Sequence, residues 1–192
     1  MVRLTRIYTR TGDDGGTALA TGERARKHDL RVCAYGDVDE TNACVGLARL
    51  HTQDDAILDP MLARIQNELF DLGADLATPQ RGVRPGVAAL RITDDQVARI
   101  EREIDLLNGE LSPLSSFVLP GGSPAAAALH LARTVSRRAE RQAVALNDRD
   151  GDDVSGPALR YLNRLSDLLF TAARWANARG EADVLWTPGA TR

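Results

Sequence analysis

At 192 residues, 43% apolar and 27% charged, the chain has the proportions of one globular domain, far from the composition that keeps a chain disordered. Its 24 basic against 27 acidic side chains give a net charge of −3, without the basic excess of a general polyanion binder, which argues against nucleic acid as a partner. Aromatic residues make up only 4%, so the core must be built from Leu, Val, Ile and Ala, a palette that suits helices and predicts an all-α protein.

Residues 1–32 carry Gly12, Gly15, Gly16 and Gly22 among Thr, Asp and basic side chains without a lasting apolar period, and read as an irregular glycine-rich arm. From about Val38 to about Thr52 a central, buried helix is expected, because no charge falls between Thr41 and Ala48 and Asp37, Asp39 and Glu40 suit its positive end. Asp59-Pro60 then opens a second helix, aspartate as cap and proline in first position, with Ile65, Leu69, Leu72 and Leu76 in register to about Ala77. Residues 78–92, with Pro79, Gly82, Pro85 and Gly86, read as a loop with freedom to move.

Thr93 to Gln96 has capping-box spacing and starts a third helix through Val97, Ile100, Ile104 and Leu107 to Gly109. A fourth runs from Ser123-Pro124 to about Leu146. After an acidic turn at 151–156, a fifth spans about Pro157 to Arg179 and buries Leu159, Leu162, Leu165, Leu169 and Ala173. Five long helices with short connections predict an antiparallel bundle. The expectation is one domain over 1–192: an arm at 1–32, a bundle at about 33–180 and a tail at 181–192.

Cys33 and Cys44 are too few for a disulfide framework and read as buried thiols in a reducing, cytoplasmic compartment. The first residues lack the apolar stretch of a secretion signal. The longest run free of charged residues, Leu111 to Ala132, is interrupted by Pro113, Pro120, Gly121, Gly122 and Pro124, so no membrane span is expected.

At 100° per residue, the fourth helix places Leu131, Val135, Ala139 and Leu146 on one side and Arg133, Arg137 and Glu140 nearly opposite. The plain reading is a solvated face with helical ion pairing. Against it stands the density of guanidinium, Arg133, Arg137, Arg138 and Arg141 within nine positions of an acidic chain, which suits a local polyanion such as a triphosphate. In the arm, the run Tyr8 to Thr17 offers glycines that let backbone amides approach an anion, and the hydroxyls of Thr9, Thr11 and Thr17. It lacks the Walker A pattern, and a flexible tail is its plain alternative.

Phe117-Val118 leads into Pro120-Gly121-Gly122 at the start of the fourth helix, either as a stapled helix entry or as an anion-attracting helix terminus. Asn163 falls in register with Leu159, Ser166 and Phe170, as a buried amide between helices or one presented to a ligand. His28, His51 and His130 stand too far apart for a helical metal pair, and no Ser or Cys sits in a nucleophile context, so a substrate must bring the nucleophile if this is an enzyme.

The segments Tyr8-Thr-Arg-Thr-Gly-Asp13, Gly22-Glu-Arg-Ala-Arg-Lys27, Ala34-Tyr-Gly-Asp-Val-Asp-Glu40, Phe117-Val-Leu-Pro-Gly-Gly122, Arg137-Arg-Ala-Glu-Arg141 and Tyr161-Leu-Asn-Arg-Leu-Ser-Asp167 together resemble the PduO-type ATP:cob(I)alamin adenosyltransferases. The match runs in order over nearly the whole chain. The resemblance implies a ferritin-like five-helix bundle assembled as a homotrimer, with ATP and corrinoid bound between subunits. It implies transfer of the 5′-deoxyadenosyl group of ATP to the cobalt of cob(I)alamin, leaving inorganic triphosphate, with Mg²⁺ accompanying the ATP.

By that resemblance, Thr9, Arg10, Thr11, Gly12, Asp13, Gly15, Gly16, Thr17 and Lys27 wrap the ATP. Arg137, Arg138, Glu140, Arg141 and Asn163 hold its phosphates, ribose or adenine, and no protein metal ligand is assigned. Arg133 pairs with Asp39 across the interface, and Phe117 with Val118 lies under the corrin ring. A cobalamin reductase and an adenosylcobalamin-dependent mutase are the implied protein partners. The alternatives are a module that delivers adenosylcobalamin to a mutase and an ATP-binding regulatory bundle. Two departures stand out: Arg10 where relatives often have lysine, and Asp14 where many have lysine.

Overall fold

The computed structural model describes residues 7–82, 88–151 and 153–192. A short antiparallel hairpin, β1 (Gly16–Ala18) and β2 (Arg24–Arg26), precedes five helices: α1 (Leu30–Arg49), α2 (Leu58–Leu76), α3 (Asp94–Asn108), α4 (Pro124–Asp150) and α5 (Gly156–Ala176). α1 lies against α4, α2 flanks α1, α5 flanks α4, and α3 packs on α5. Arg64 of α2 paired with Glu103 of α3 closes the ring.

Ala34 and Ala48 of α1 and Ala126, Ala132, Ala139 and Ala143 of α4 are wholly buried. Residues this small let two helix backbones approach closely. Larger apolar groups fill the remaining core, with Leu62, Ile65, Leu72, Leu162, Leu165 and Leu169 fully buried, each contributing about 1.5–3 kcal/mol of apolar transfer. Among the described residues no helix is long and apolar enough to cross a membrane.

The all-α bundle is as expected, and several boundaries are not. α1 starts at Leu30 rather than near Val38, because the Asp29 carboxylate accepts from the Arg31 amide at 2.8 Å and caps it. The arm therefore ends before residue 30, and it contains the hairpin rather than being irregular throughout. α1 is also buried on one face only, with Leu47 and Glu40 exposed on the other. Asp59 does not cap α2. Asp55 Oδ1 accepts from the amides of Ile57 and Leu58, and Asp59 instead takes two bonds from Arg49 at 2.9 Å.

α4 continues four residues past Leu146 to a left-handed Gly151 cap, and α5 stops at Ala176, followed by a 3-10 turn at Ala178–Gly180. The capping box at Thr93 and Gln96 is present as read. Of the two thiols, Cys44 is buried and Cys33 only half-buried. Within the loop expected to be free to move at 78–92, Gln80–Gly82 forms a 3-10 turn, and 83–87 lie outside the described residues.

One end of the bundle is lashed by a buried cation. Arg31 donates to the Leu76 carbonyl at 2.9 Å and to Asp153 at 2.7 Å and Asp150 at 3.3 Å, joining the start of α1 to the ends of α2 and α4. The arm leaves from this end. It is held down by buried Leu19 and by the Ala20 amide donating to the Ala77 carbonyl at 3.1 Å.

Candidate active site

The arm is pre-shaped by its own charges. Asp14 accepts from the Gly16 amide at 2.8 Å and from Arg24 at 3.2 Å, while Arg26 donates to the Asp14 carbonyl at 3.1 Å. The Gly16 amide bond is the main reason the Asp14 carboxyl is held below its ordinary value, with Arg24 and Arg26 adding to it. Asp14 is thus a buckle of the glycine loop. Lys27 lies over Gly12 so closely that a Cβ there would come within 3.3 Å of Nζ and 3.0 Å of the Gly16 carbonyl. Arg10 sits at φ 62 with its guanidinium 5.6 Å from the Tyr8 ring, a left-handed conformation that non-glycine residues adopt only at a cost. Thr9 and Thr11 share a hydrogen bond at 2.9 Å.

Asp39 lies on α1, near the end of α2 where the arm is anchored. It lines a cavity of about 400 Å³ between α1 and α2, together with Tyr35 and with Ala77, whose carbonyl accepts from the Ala20 amide of the arm. Arg133, Arg137, Glu140 and Asn163 lie elsewhere, along α4 and α5. Arg133 lines a second cavity of about 570 Å³ with Phe117, Val118 and Phe170. Burial lowers the Arg133 pKa, Arg137 adds to the effect, and its Nε is buried without a partner among the described residues.

The buried-amide alternative for Asn163 and the core placement of Leu131 both fail. Asn163 is exposed rather than buried; it donates to Glu140 Oε1 at 2.9 Å and accepts from Arg164 at 2.6 Å. Leu131 is 50% exposed, since the core side of α4 is centred further round, on Ala132, Ala139 and Ala143. The α4 arginines also divide. Arg138 turns to α1, where it pairs with Glu40 and with Asp37 at 3.2 Å. Arg137 and Arg141 are exposed and make no ion pair among the described residues.

Phe117 is 76% exposed, which removes the reading of it as a core staple. Its ring meets Trp186 at 5.9 Å, and the segment is clipped to the C-terminal stretch by Trp186 N–H to Phe117 O at 2.8 Å and Leu119 N–H to Val184 O at 2.7 Å. The following turn needs glycine. Gly122 has φ 98, and a Cβ there would strike the Asn177 amide that accepts from Ser123 N–H at 2.8 Å. Trp186 went unread in the sequence, where a single aromatic in a tail carries no pattern.

Within one chain, then, the arm and Asp39 form one group beside α1 and α2, and Arg133, Arg137, Glu140, Asn163 and Phe117 form another along α4 and α5. No ion pair joins Asp39 to Arg133 among the described residues. In the second group the buried Arg133 Nε has no partner and Arg137 makes no ion pair among the described residues, which leaves donors suited to an anion.

Residues 7–176 match the family model described as Cobalamin adenosyltransferase. The chain is 52% identical to the corrinoid adenosyltransferase of Mycobacterium leprae over 190 residues, covering 98% of each, and 43% identical to that of Bacillus subtilis, covering 93% and 91%. It superimposes on a variant of the PduO-type ATP:corrinoid adenosyltransferase of Lactobacillus reuteri complexed with cobalamin and ATP, with a TM-score of 0.83, 38% identity, and coverage of 94% of this chain and 99% of that one. The chain belongs to the cobalamin adenosyltransferase family.

Proposed function

We propose that the protein transfers the 5′-deoxyadenosyl group of ATP to the cobalt of cob(I)alamin, at a site completed by a neighbouring copy of the chain. One observation carries the shared site: the arm with Asp39 and the Arg133–Phe117 cavity are complementary in charge and chemistry, yet lie on different helix pairs of one chain. A ring of copies in head-to-tail contact brings the first group of one to the second group of the next, and a closed homotrimer meets that need. In that arrangement Asp39 receives the Arg133 guanidinium left unpaired within the chain.

The chemistry asks little of the side chains as acids or bases. The Co(I) lone pair attacks the ribose C5′, the C5′–O bond breaks, and its electron pair leaves on triphosphate while cobalt becomes formally Co(III). The protein's work is alignment and charge stabilisation. Exposed Arg137 and the arm's amides and Lys27 neutralise the departing phosphate chain. The Glu140–Asn163 pair offers an acceptor and an amide to the nucleoside. Phe117 and Val118 present apolar surface with no donor atom to the underside of the corrin ring, which disfavours an axial ligand and makes Co(II) easier to reduce.

Magnesium enters with the ATP. Its ligands on this reading are the phosphates and water, and among the described residues no group of three His, Cys, Asp or Glu side chains lies together. The reaction needs a reductant to supply Co(I), and on this reading a cobalamin reductase and an adenosylcobalamin-dependent mutase are the protein partners, with the cytoplasm as the setting. The test is to mix protein, ATP, Mg²⁺ and chemically reduced cobalamin and follow the visible spectrum. Appearance of the Co–C bonded species supports transferase activity; unchanged Co(I) with ATP bound leaves a delivery or regulatory bundle.

A further inference from the structure

His130 is 1% exposed, and neither ring nitrogen has a hydrogen-bond partner among the described residues. Such a group calls for an explanation, because buried polar atoms are almost always paired. Its position sharpens the question. At 100° per residue it lies about 60° from Arg133 and about 20° from Arg137 around α4, on the side where the other residues serve the proposed site rather than the core. It is covered there by Phe170, whose ring it meets at 6.1 Å, and Phe170 lines the cavity shared by Phe117 and Arg133.

The second orphan is three residues away. Arg133 Nε is also buried and unpaired, and residues three apart on a helix are neighbours on its surface. The two groups are complementary: guanidinium Nε–H is a donor only, and a neutral imidazole has one acceptor nitrogen. Burial and the nearby Arg133 both lower the His130 pKa and favour that neutral form, while Asp183 opposes them.

We propose that His130 is a positioning residue of the corrinoid cavity, accepting the Nε–H of Arg133 when ligand and neighbouring copy close around it. That bond pairs the Arg133 Nε–H with the acceptor nitrogen of the imidazole, leaves the remaining ring N–H to the closing ligand or neighbour, and orients the guanidinium so that its terminal nitrogens face outward. The inference rests on the corrinoid reading of that cavity.

Two measurements test it. His130→Phe keeps an aromatic ring against Phe170 and removes the acceptor. It is expected to raise KM for cobalamin about tenfold with KM for ATP and the melting temperature unchanged, and His130→Asn or His130→Gln to recover at least part of the loss. In native protein labelled with ¹⁵N-histidine and saturated with adenosylcobalamin, one of the three histidines should show a single neutral tautomer whose unprotonated nitrogen moves upfield on binding. The NMR readout needs neither turnover nor a folded variant. Wild-type cobalamin KM in His130→Phe, or a His130 nitrogen unmoved in protein that binds adenosylcobalamin, overturns the positioning role alone. Failure of the parent protein to bind or adenosylate cobalamin instead removes the reading beneath it.

Discussion

Glu140 on α4 and Asn163 on α5 are joined by a 2.9 Å hydrogen bond at the surface of the bundle, with the amide donating to the carboxylate. Arg164 donates to the other side of the same amide at 2.6 Å, and so fixes which way it faces. An exposed bond of this kind adds little to stability. On the proposed function, it holds an acceptor and an amide at a set spacing on the same face as Arg137.

Asn163→Ala should therefore leave the melting temperature within about 2 °C of the parent, while lowering kcat/KM for ATP at least tenfold. Calorimetry and initial rates at varied ATP check this. A variant that melts much earlier yet uses ATP normally would make the pair a strut between helices.

Arg137 and Arg138 are adjacent in sequence and part in space, since Arg138 is taken up by Asp37 and Glu40 while Arg137 makes no ion pair among the described residues. Arg137→Ala should cost about 10²–10³ in kcat/KM for ATP, the range for a charge-stabilising donor at a reacting centre. Arg138→Ala should cost about 1 kcal/mol of stability and less than tenfold in rate. Equal, small rate effects of the two would mark the whole stripe as solvated surface.

Phe117 is exposed and rests on Trp186, so its removal opens no core cavity. Phe117→Ala should keep the fold and the affinity for ATP. It should weaken the electron paramagnetic resonance signature of four-coordinate Co(II), and slow turnover most when the assay starts from cob(II)alamin. Retention of that signature would move the axial-ligand role to another residue.

Much of this was legible in advance. The capping box at Thr93, the leucine period of α2 and α5, and the arginine density of α4 are local patterns, and each survives folding because no tertiary contact opposes it. The start of α1 was missed because Asp29, a cap, sits inside a run of glycine and basic residues that reads as loop. Of the two readings of Asn163, the buried amide fails because helical register gives direction but not whether a neighbouring helix covers it. The fate of Arg138 depended on carboxylates about a hundred positions away, and the pairing of Phe117 with Trp186 on a chain return; no short-range signal encodes either.

The base of the bundle carries a pH dependence. Hydrogen bonds from Arg149 hold the carboxyls of both Asp29 and Asp150 below their ordinary values. A carboxyl whose folded pKa is depressed adds stability that is present above its unfolded value and is lost as pH falls through the folded one. Arg149→Ala should thus lower the melting temperature by about 2–4 °C at pH 7, and the difference from the parent should vanish toward pH 2. A decrement constant with pH would point to lost packing of the arginine stem.

The most direct measurement of the shared site is complementation between copies. One variant carries Lys27→Ala with Thr11→Ala in the arm, the other carries Arg137→Ala in α4, and each alone should be nearly inactive. Co-assembled in equal amounts, they should recover adenosylation to about a quarter of the parent rate, since random head-to-tail contact pairs two intact halves at about one site in four. A mixture that demonstrably exchanges subunits yet stays no more active than its parts would show that the arm and α4 serve the same chain, and would contradict the account.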